Sequence, residues 1–257
     1  MPNSDTTGSN REWFESENFW LDYAPVLFDE NRWSEAVDVA ESVIRMANLK
    51  PGNAVLDAGC GPGRIAVELA ALGIKVTGVD MITAYLEAAR ESAQAEGVFL
   101  EPVKADLRCF RRPCAFEAAV SLYTSFGYCQ TEEEDLLILK NIAASLKPGG
   151  RFILECVSRE TALLHFTPGE TFERGGFRVT TRFELINGNR GLLSRWDIDN
   201  GTVSRTHSFV QRLYAAEELC TILRSIGFEQ TALHGTWNGA PYDSNADTMI
   251  LLARKSD

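Results

Sequence analysis

The stretch Ala54-Val55-Leu56-Asp57-Ala58-Gly59-Cys60-Gly61-Pro62-Gly63-Arg64-Ile65-Ala66 constrains the fold more than any other part of the chain. Ala54 to Leu56 is a short apolar run of the kind a buried strand makes, and three glycines follow within five residues. Glycine lets the backbone turn sharply and approach a ligand closely because it carries no Cβ. From Ile65 the apolar period turns helical, with Ile65, Ala66, Leu69 and Leu72 expected on one face. The N-terminus of such a helix points unpaired N–H groups into the turn. Gly73 closes the helix, Lys75 to Val79 returns as a second strand, and that strand ends on Asp80, a carboxylate placed to take the paired hydroxyls of a ribose.

Strand, glycine turn, helix, strand and acid spell a nucleoside-binding βαβ unit, an outline that two cofactor classes share. A dinucleotide fingerprint, Gly-x-Gly-x-x-Gly, would put glycine at 64, where this chain has Arg64. Asp57 also sets an anion just before the turn, where a pyrophosphate is repelled and an ammonium is welcome. At Asp57, Gly59, Gly61 and Gly63 the chain resembles the class I S-adenosylmethionine-dependent methyltransferases, whose first motif reads Asp-x-Gly-x-Gly-x-Gly. The resemblance runs from about Pro51 to Glu155 and includes Leu146-Lys147-Pro148-Gly149-Gly150 before a strand and the run Ser125-Phe126-Gly127-Tyr128.

The resemblance implies S-adenosyl-L-methionine as cofactor, held by Asp57, Gly59, Gly61, Gly63, Arg64, Asp80, Met81, Asp106, Leu107, Leu122 and Tyr123. Met81 would pack on the adenine, and Asp106 would accept from the adenine amine while the Leu107 backbone meets a ring nitrogen. A loop Asp capping a turn is the alternative reading of Asp106. Methyl transfer needs alignment and exclusion of water more than a reactive side chain. Tyr23, Tyr123 and His165 are the candidate catalytic residues, with His207, His234 and Glu155 as rivals should a base be needed. A nicotinamide-dependent oxidoreductase and a non-catalytic binding module with the same fold are the alternative functions.

The expected fold is α/β: a Rossmann-like seven-stranded methyltransferase sheet with a reversed last strand, plus a small antiparallel β lid insertion. Residues 1–32 form an aromatic cap, with Trp13, Phe14, Phe19, Trp20, Tyr23 and Phe28 crowded together. Residues 33–160 and 215–257 form the cofactor domain, and 161–214 the lid. An amphipathic helix is expected over 33–49, burying Val37, Ala40, Val43, Ile44 and Ala47. Another follows Thr131, whose neighbouring glutamates suit a helix start. From Thr171 the pattern alternates strictly, with Phe177, Val179, Thr181, Phe183 and Leu185 on one face. Turn signals at 187–189 and 199–201 suggest about three strands there. Arg178, Arg182, Arg195, Trp196 and His207 are its candidate substrate contacts.

A net charge of −11 with no basic run argues against nucleic acid as partner. The six cysteines are scattered without a C-x-x-C pair, so no metal site is indicated and reduced thiols fit a cytoplasmic protein. Met1 to Asn10 is polar and has no signal-peptide core, and no stretch is long enough to span a membrane. The expected partner is a small-molecule acceptor, and a homodimer is compatible with the sequence.

Overall fold

The structure is a computed structural model and describes residues 13–28, 30–244 and 246–257, with the backbone alone for 30 and 31. Met1 to Asn10, and with it the start of the expected cap, lies outside the described residues. The strands β1 (Ala54–Ala58), β2 (Lys75–Asp80), β3 (Leu100–Lys104), β4 (Phe116–Ser121) and β5 (Leu146–Cys156) pair in parallel in the order β5-β4-β1-β2-β3. Their residues are apolar on both faces because helices cover both sides, as parallel sheets require. The helices α3 (Ala36–Ala47), α4 (Arg64–Ala71) and α5 (Thr83–Ala95) cover one face. On the other lie α6 (Glu132–Ser145) and α8 (Ala216–Ser225), with the short helix α7 (Arg159–Leu164) between them in the chain.

The chain closes with β10 (Phe228–His234) and β11 (Met249–Lys255), and β11 inserts antiparallel between β5 and β10. This makes the seven-stranded sheet with reversed ending that the sequence implied. Among the described residues, no helix is long and apolar enough to cross a membrane. The helix after Thr131 begins with a full capping box, the Thr131 hydroxyl accepting from the Glu134 N–H and the Glu134 carboxylate from the Thr131 N–H.

Several expectations need correction. The insertion holds four strands, not three: β6 (Gly169–Arg174), β7 (Phe177–Ile186), β8 (Gly191–Asp199) and β9 (Ser204–Arg212), paired as a meander. Its first strand, Gly-Glu-Thr-Phe-Glu-Arg, was hidden because an edge strand exposed on both faces shows little apolar alternation. The segment 33–49 is divided between α2 (Glu30–Ser34) and α3, and Val37 is exposed, with Ala36 and Val39 buried in its place. Leu72 is also exposed, because α4 ends at Ala71 and Leu72 only caps it.

The cap does not simply lie over the main domain. A 3-10 turn (Trp13–Glu15) and α1 (Glu17–Leu27) share a core with the lid, in which Phe19, Tyr23 and Val26 pack with Val179 of β7 and Ile198 of β8. The Tyr85 hydroxyl donates to the Trp20 carbonyl at 2.8 Å and Glu17 accepts the Ala84 N–H at 3.0 Å, so α1 is also tied to α5. The lid's far end is fixed by Arg212. Its guanidinium reaches the carboxylate of Asp135, fully buried in α6, and the carbonyls of Cys129, Gln130 and Thr131.

Candidate active site

A cavity of about 890 Å³ opens at the carboxyl ends of β1 and β4, roofed by α1 and the lid. The strand order reverses between these two strands, which is where open α/β sheets place ligands.

The glycine turn is pinned to the sheet by the Gly59 and Cys60 N–H groups, which donate to the Val79 carbonyl at 2.9 and 3.1 Å. Its glycines do different work. Gly61 faces the cavity at φ 54°, and a Cβ there would meet little but the Phe28 ring. Gly59, also on the cavity, is a close-packing position: its Cβ would fall 2.8 Å from that of Ser125. Gly63 does not line the cavity; a Cβ there would lie 2.6 Å from that of Ala89, so it lets α4 sit against α5. That places the third glycine in helix packing rather than at a ligand.

Asp80 ends β2 with each carboxylate oxygen holding one backbone N–H, Gly61 at 2.8 Å and Ile82 at 3.0 Å. Burial pushes its carboxyl above the ordinary range, against the pull of these N–H groups. Asp57 is 4 % exposed, and no hydrogen bond or ion pair from a described residue reaches its carboxylate. Burial, then the nearby Asp80, raise it to about 7, partly offset by Arg64. Two neighbouring acids on one cleft, each desolvated, suit a cationic ligand group better than a diphosphate. The Arg64 guanidinium is itself buried, donates to the Arg32 carbonyl and lies 4.3 Å from the centroid of the Tyr123 ring.

Met81, Leu107 and Leu122 line the cavity beside these acids. Asp106 lines it as well, but its carboxylate is engaged within its own loop, accepting from the Arg108 N–H at 2.7 Å and the Arg108 Nε at 2.9 Å. It therefore caps a turn, and Arg108 continues to Glu134 of α6 and Glu15 of the cap.

Tyr123 and Thr124 follow β4 with φ of 51° and 60°, a left-handed pair of side-chain-bearing residues that stores strain. Glu155 at the end of β5 holds them: its carboxylate accepts the Tyr123 N–H at 2.5 Å and its carbonyl the Thr124 N–H at 3.3 Å. The Tyr123 hydroxyl is buried without a hydrogen-bond partner, though Arg64 is close enough to pull its acidity against burial. The run Ser125 to Tyr128 divides its work in the same way. Ser125 packs on Gly59, Phe126 is buried against Tyr214, Gly127 meets the lid and Tyr128 faces the cavity.

Two of the candidate catalytic residues sit elsewhere in character. Tyr23 touches the cavity from within the cap and lid core, 1 % exposed, with its hydroxyl given to the Trp196 carbonyl at 3.1 Å. His165 does not line the cavity; its Nε2 lies 3.1 Å from the Ala246 carbonyl. His207 pairs with Asp22 at 3.2 Å between lid and cap, and His234 lies by Gly239. Of the five lid candidates only Trp196 lines the cavity, its indole N–H buried and unpartnered. The arginines at 182 and 195 pair with Asp197 on the exposed face. Sequence reasoning missed Phe209, Glu35, Asp38, Trp237 and Thr248, which line the cavity from four separate segments and share no motif.

The sheet with its reversed ending, the glycine turn and the two acids together make the arrangement of the class I S-adenosylmethionine-dependent methyltransferases. Residues 55–150 match the protein family described as Methyltransferase domain. The chain is 26 % identical over 247 residues to the cypemycin N-terminal methyltransferase of a Streptomyces species, covering 90 % of this chain and 98 % of that one. Among solved structures it resembles the CcbJ methyltransferase of Streptomyces caelestis, with a TM-score of 0.72 at 21 % identity over 86 % of this chain and 95 % of that one. It also resembles CalS10 of Micromonospora echinaspora, an amino pentose methyltransferase solved with S-adenosylmethionine bound. There the TM-score is 0.63 at 21 % identity, over 97 % of this chain and all of that one.

Proposed function

We propose that the chain methylates nitrogen in a small molecule bearing an amine. The observation that carries this reading is the charge of the cavity wall: seven carboxylates and three arginines line it, with no lysine or histidine among the described residues. Asp57, Asp80 and Asp106 belong to the half formed by β1, β2 and the loop after β3. The other half, toward β5 and β11, carries Glu35, Asp38, Glu155 and Asp247, with Arg32 and, over the Tyr123 ring, Arg64 as its cations. An acidic wall raises the local concentration of a cation and disfavours an anionic acceptor. The cypemycin enzyme and CalS10, by their descriptions, act on an N-terminus and an amino sugar, which agrees with an amine. The acidic net charge argues against nucleic acid as the acceptor.

In this reading Asp80 takes the ribose hydroxyls, Met81 and Leu107 flank the adenine, and Asp106 orients it together with Arg108. Asp57, Gly59, Gly61, Arg64, Leu122 and Tyr123 surround the amino-acid end, with Gly63 acting through the helix packing behind them. When bound, the cofactor supplies a methyl group already activated by its sulfonium. The chain's own task is to align the acceptor and keep water out, which is worth about 7–11 kcal/mol of barrier without a covalent step. Tyr123 is the residue we place at the acceptor, ahead of Tyr23, whose hydroxyl is already bonded, and of His165, which lies off the cavity.

The test is a matched panel of small amines and alcohols incubated with S-adenosylmethionine and read by mass spectrometry. Addition of one methyl to amines, with release of S-adenosylhomocysteine, is expected. Methylation confined to the alcohols would end the nitrogen reading.

A further inference from the structure

Glu155 sits half-buried at the junction of β5, the turn after β4 and the approach to β11, and its carboxylate oxygens are each half used. Oε2 accepts the Tyr123 N–H at 2.5 Å and Oε1 accepts the Thr248 hydroxyl at 2.5 Å. A carboxylate oxygen has two acceptor positions, so one on each remains, and the residue lines the cavity. The groups that face it are Tyr123 and the Thr124 N–H after β4, Tyr128 in the following loop, Thr248 before β11, Cys156 beside it on β5, and Arg32 of α2, whose pull is the weakest of those that favour its charge. Arg32 also pairs with Glu35 at 3.5 Å. A carboxylate desolvated in this way, with this little positive charge around it, is costly unless something cationic completes it.

Two further polar atoms on the same cavity are buried with no hydrogen-bond partner of good geometry among the described residues, the Tyr123 hydroxyl, beside Arg64, and the Trp196 indole N–H. Buried polar groups are almost always bonded, so exceptions mark where a ligand supplies the partner. Around them stand the rings of Trp13, Phe19, Tyr128 and Phe209, an apolar wall for a ring-bearing body.

We propose that Glu155 is the residue that recognises the acceptor: its carboxylate takes an N–H of the substrate's ammonium group, the Tyr123 hydroxyl is the second polar contact, and the aromatic wall holds an apolar ring. This rests on the amine reading above and names the side chain that distinguishes nitrogen from oxygen. The charge does the distinguishing, since a hydroxyl of the same shape gains only a neutral hydrogen bond there.

Glu155 also holds the Tyr123 turn, so its removal confounds recognition with folding. Glu155→Gln separates the two. Its carbonyl can accept the Tyr123 N–H and its amide can donate to the Thr248 oxygen, which keeps the turn and removes the charge. With the protein saturated by S-adenosylhomocysteine, 2-phenylethylamine and the equally shaped 2-phenylethanol are titrated by calorimetry at neutral pH. The amine should bind the unaltered protein about tenfold or more tightly than the alcohol, equivalent to about 1.4 kcal/mol. Glu155→Gln should lose that preference while holding S-adenosylhomocysteine within about twofold of the parent and unfolding at no lower a temperature than it. An amine bound no better than the alcohol by the parent, or a preference that survives in Glu155→Gln, overturns the proposal. If the preference behaves as expected but no amine is ever methylated, recognition by Glu155 stands and the nitrogen-transfer reading falls.

Discussion

The Arg64 guanidinium lies over the ring of Tyr123, 4.3 Å from its centroid, and so joins the first residue of α4 to the strained turn that follows β4. The pair ties the glycine turn to the turn after β4, and the Tyr123 hydroxyl at its edge has no hydrogen-bond partner among the described residues. Tyr123→Phe removes a buried hydroxyl with no hydrogen-bond partner of good geometry among the described residues, Arg64 being its nearest polar neighbour, and burial of such a group costs about 1–3 kcal/mol. The ligand-free variant should unfold about 2–4 °C higher for each kcal/mol relieved. Its kcat should drop by about tenfold or more. A lower unfolding temperature would show that the hydroxyl is bonded in the free protein.

Asp57 gives the site a pH dependence whose sign follows from its raised pKa. A carboxyl at about 7 in the folded protein and near 4 in the unfolded chain binds its proton more tightly when folded. The stability of the ligand-free protein should therefore fall as pH rises from about 4 to 7 and level off above it. An ammonium group beside Asp57 favours the ionised form, so cofactor binding below pH 7 should release about one proton and weaken as pH falls. Calorimetry of S-adenosylhomocysteine in buffers of different ionisation enthalpy reads that proton. Asp57→Asn should abolish it.

Asp80→Ala removes a carboxylate that both braces the Gly61 N–H and faces the cavity. Loss of charge-assisted hydrogen bonds to a ribose predicts weaker S-adenosylhomocysteine binding by about 1–3 kcal/mol. An unchanged dissociation constant would mean the sugar lies elsewhere.

Gly127 carries the contact between main domain and lid. Its carbonyl accepts the Arg212 N–H at 2.6 Å, and a Cβ on it would stand 2.7 Å from the Arg212 carbonyl at a φ of 92°. Gly127→Ala should destabilise the protein by about 1–3 kcal/mol, since backbone and not a flexible side chain must give way. Hydrogen exchange should show faster opening of β9 than of β1. Equal protection of both in the variant would argue that the lid is held from the cap side instead.

The cap is latched through Arg108, which joins Glu15 at 3.1 Å to Asp106 and Glu134 and lies 5.5 Å from the centroid of the Phe14 ring. These groups are partly solvated, so the latch is screened by salt. Glu15→Gln should speed S-adenosylhomocysteine dissociation several-fold in stopped flow at low ionic strength, with the difference from the parent shrinking at high salt.

How far the sequence could be read follows from the range of the forces that write it. Strand and helix periods, the glycine turn with its two acids, the capping box at Thr131 and the closing hairpin are local patterns. Each is imposed by neighbours within a few residues, so the seven-stranded sheet and the cofactor half of the cavity were legible before any coordinates. What Gly63 does was not legible: three glycines in a row of alternate positions look alike, and only packing shows that one of them faces Ala89 and not the ligand. The rest of the cavity was legible only in part: Glu155 and Trp196 were among the candidates and line it, whereas Glu35, Phe209 and Thr248 come from separate elements with no shared spacing, and His165, which carried the conventional chemical signal, falls off the cavity. By itself the chain determined its sheet, its turn and the charge of its cofactor cleft, because these need only local backbone geometry and apolar period. The tertiary structure alone decided which side chains meet across the cap, lid and strand ends, because long-range packing sets those distances.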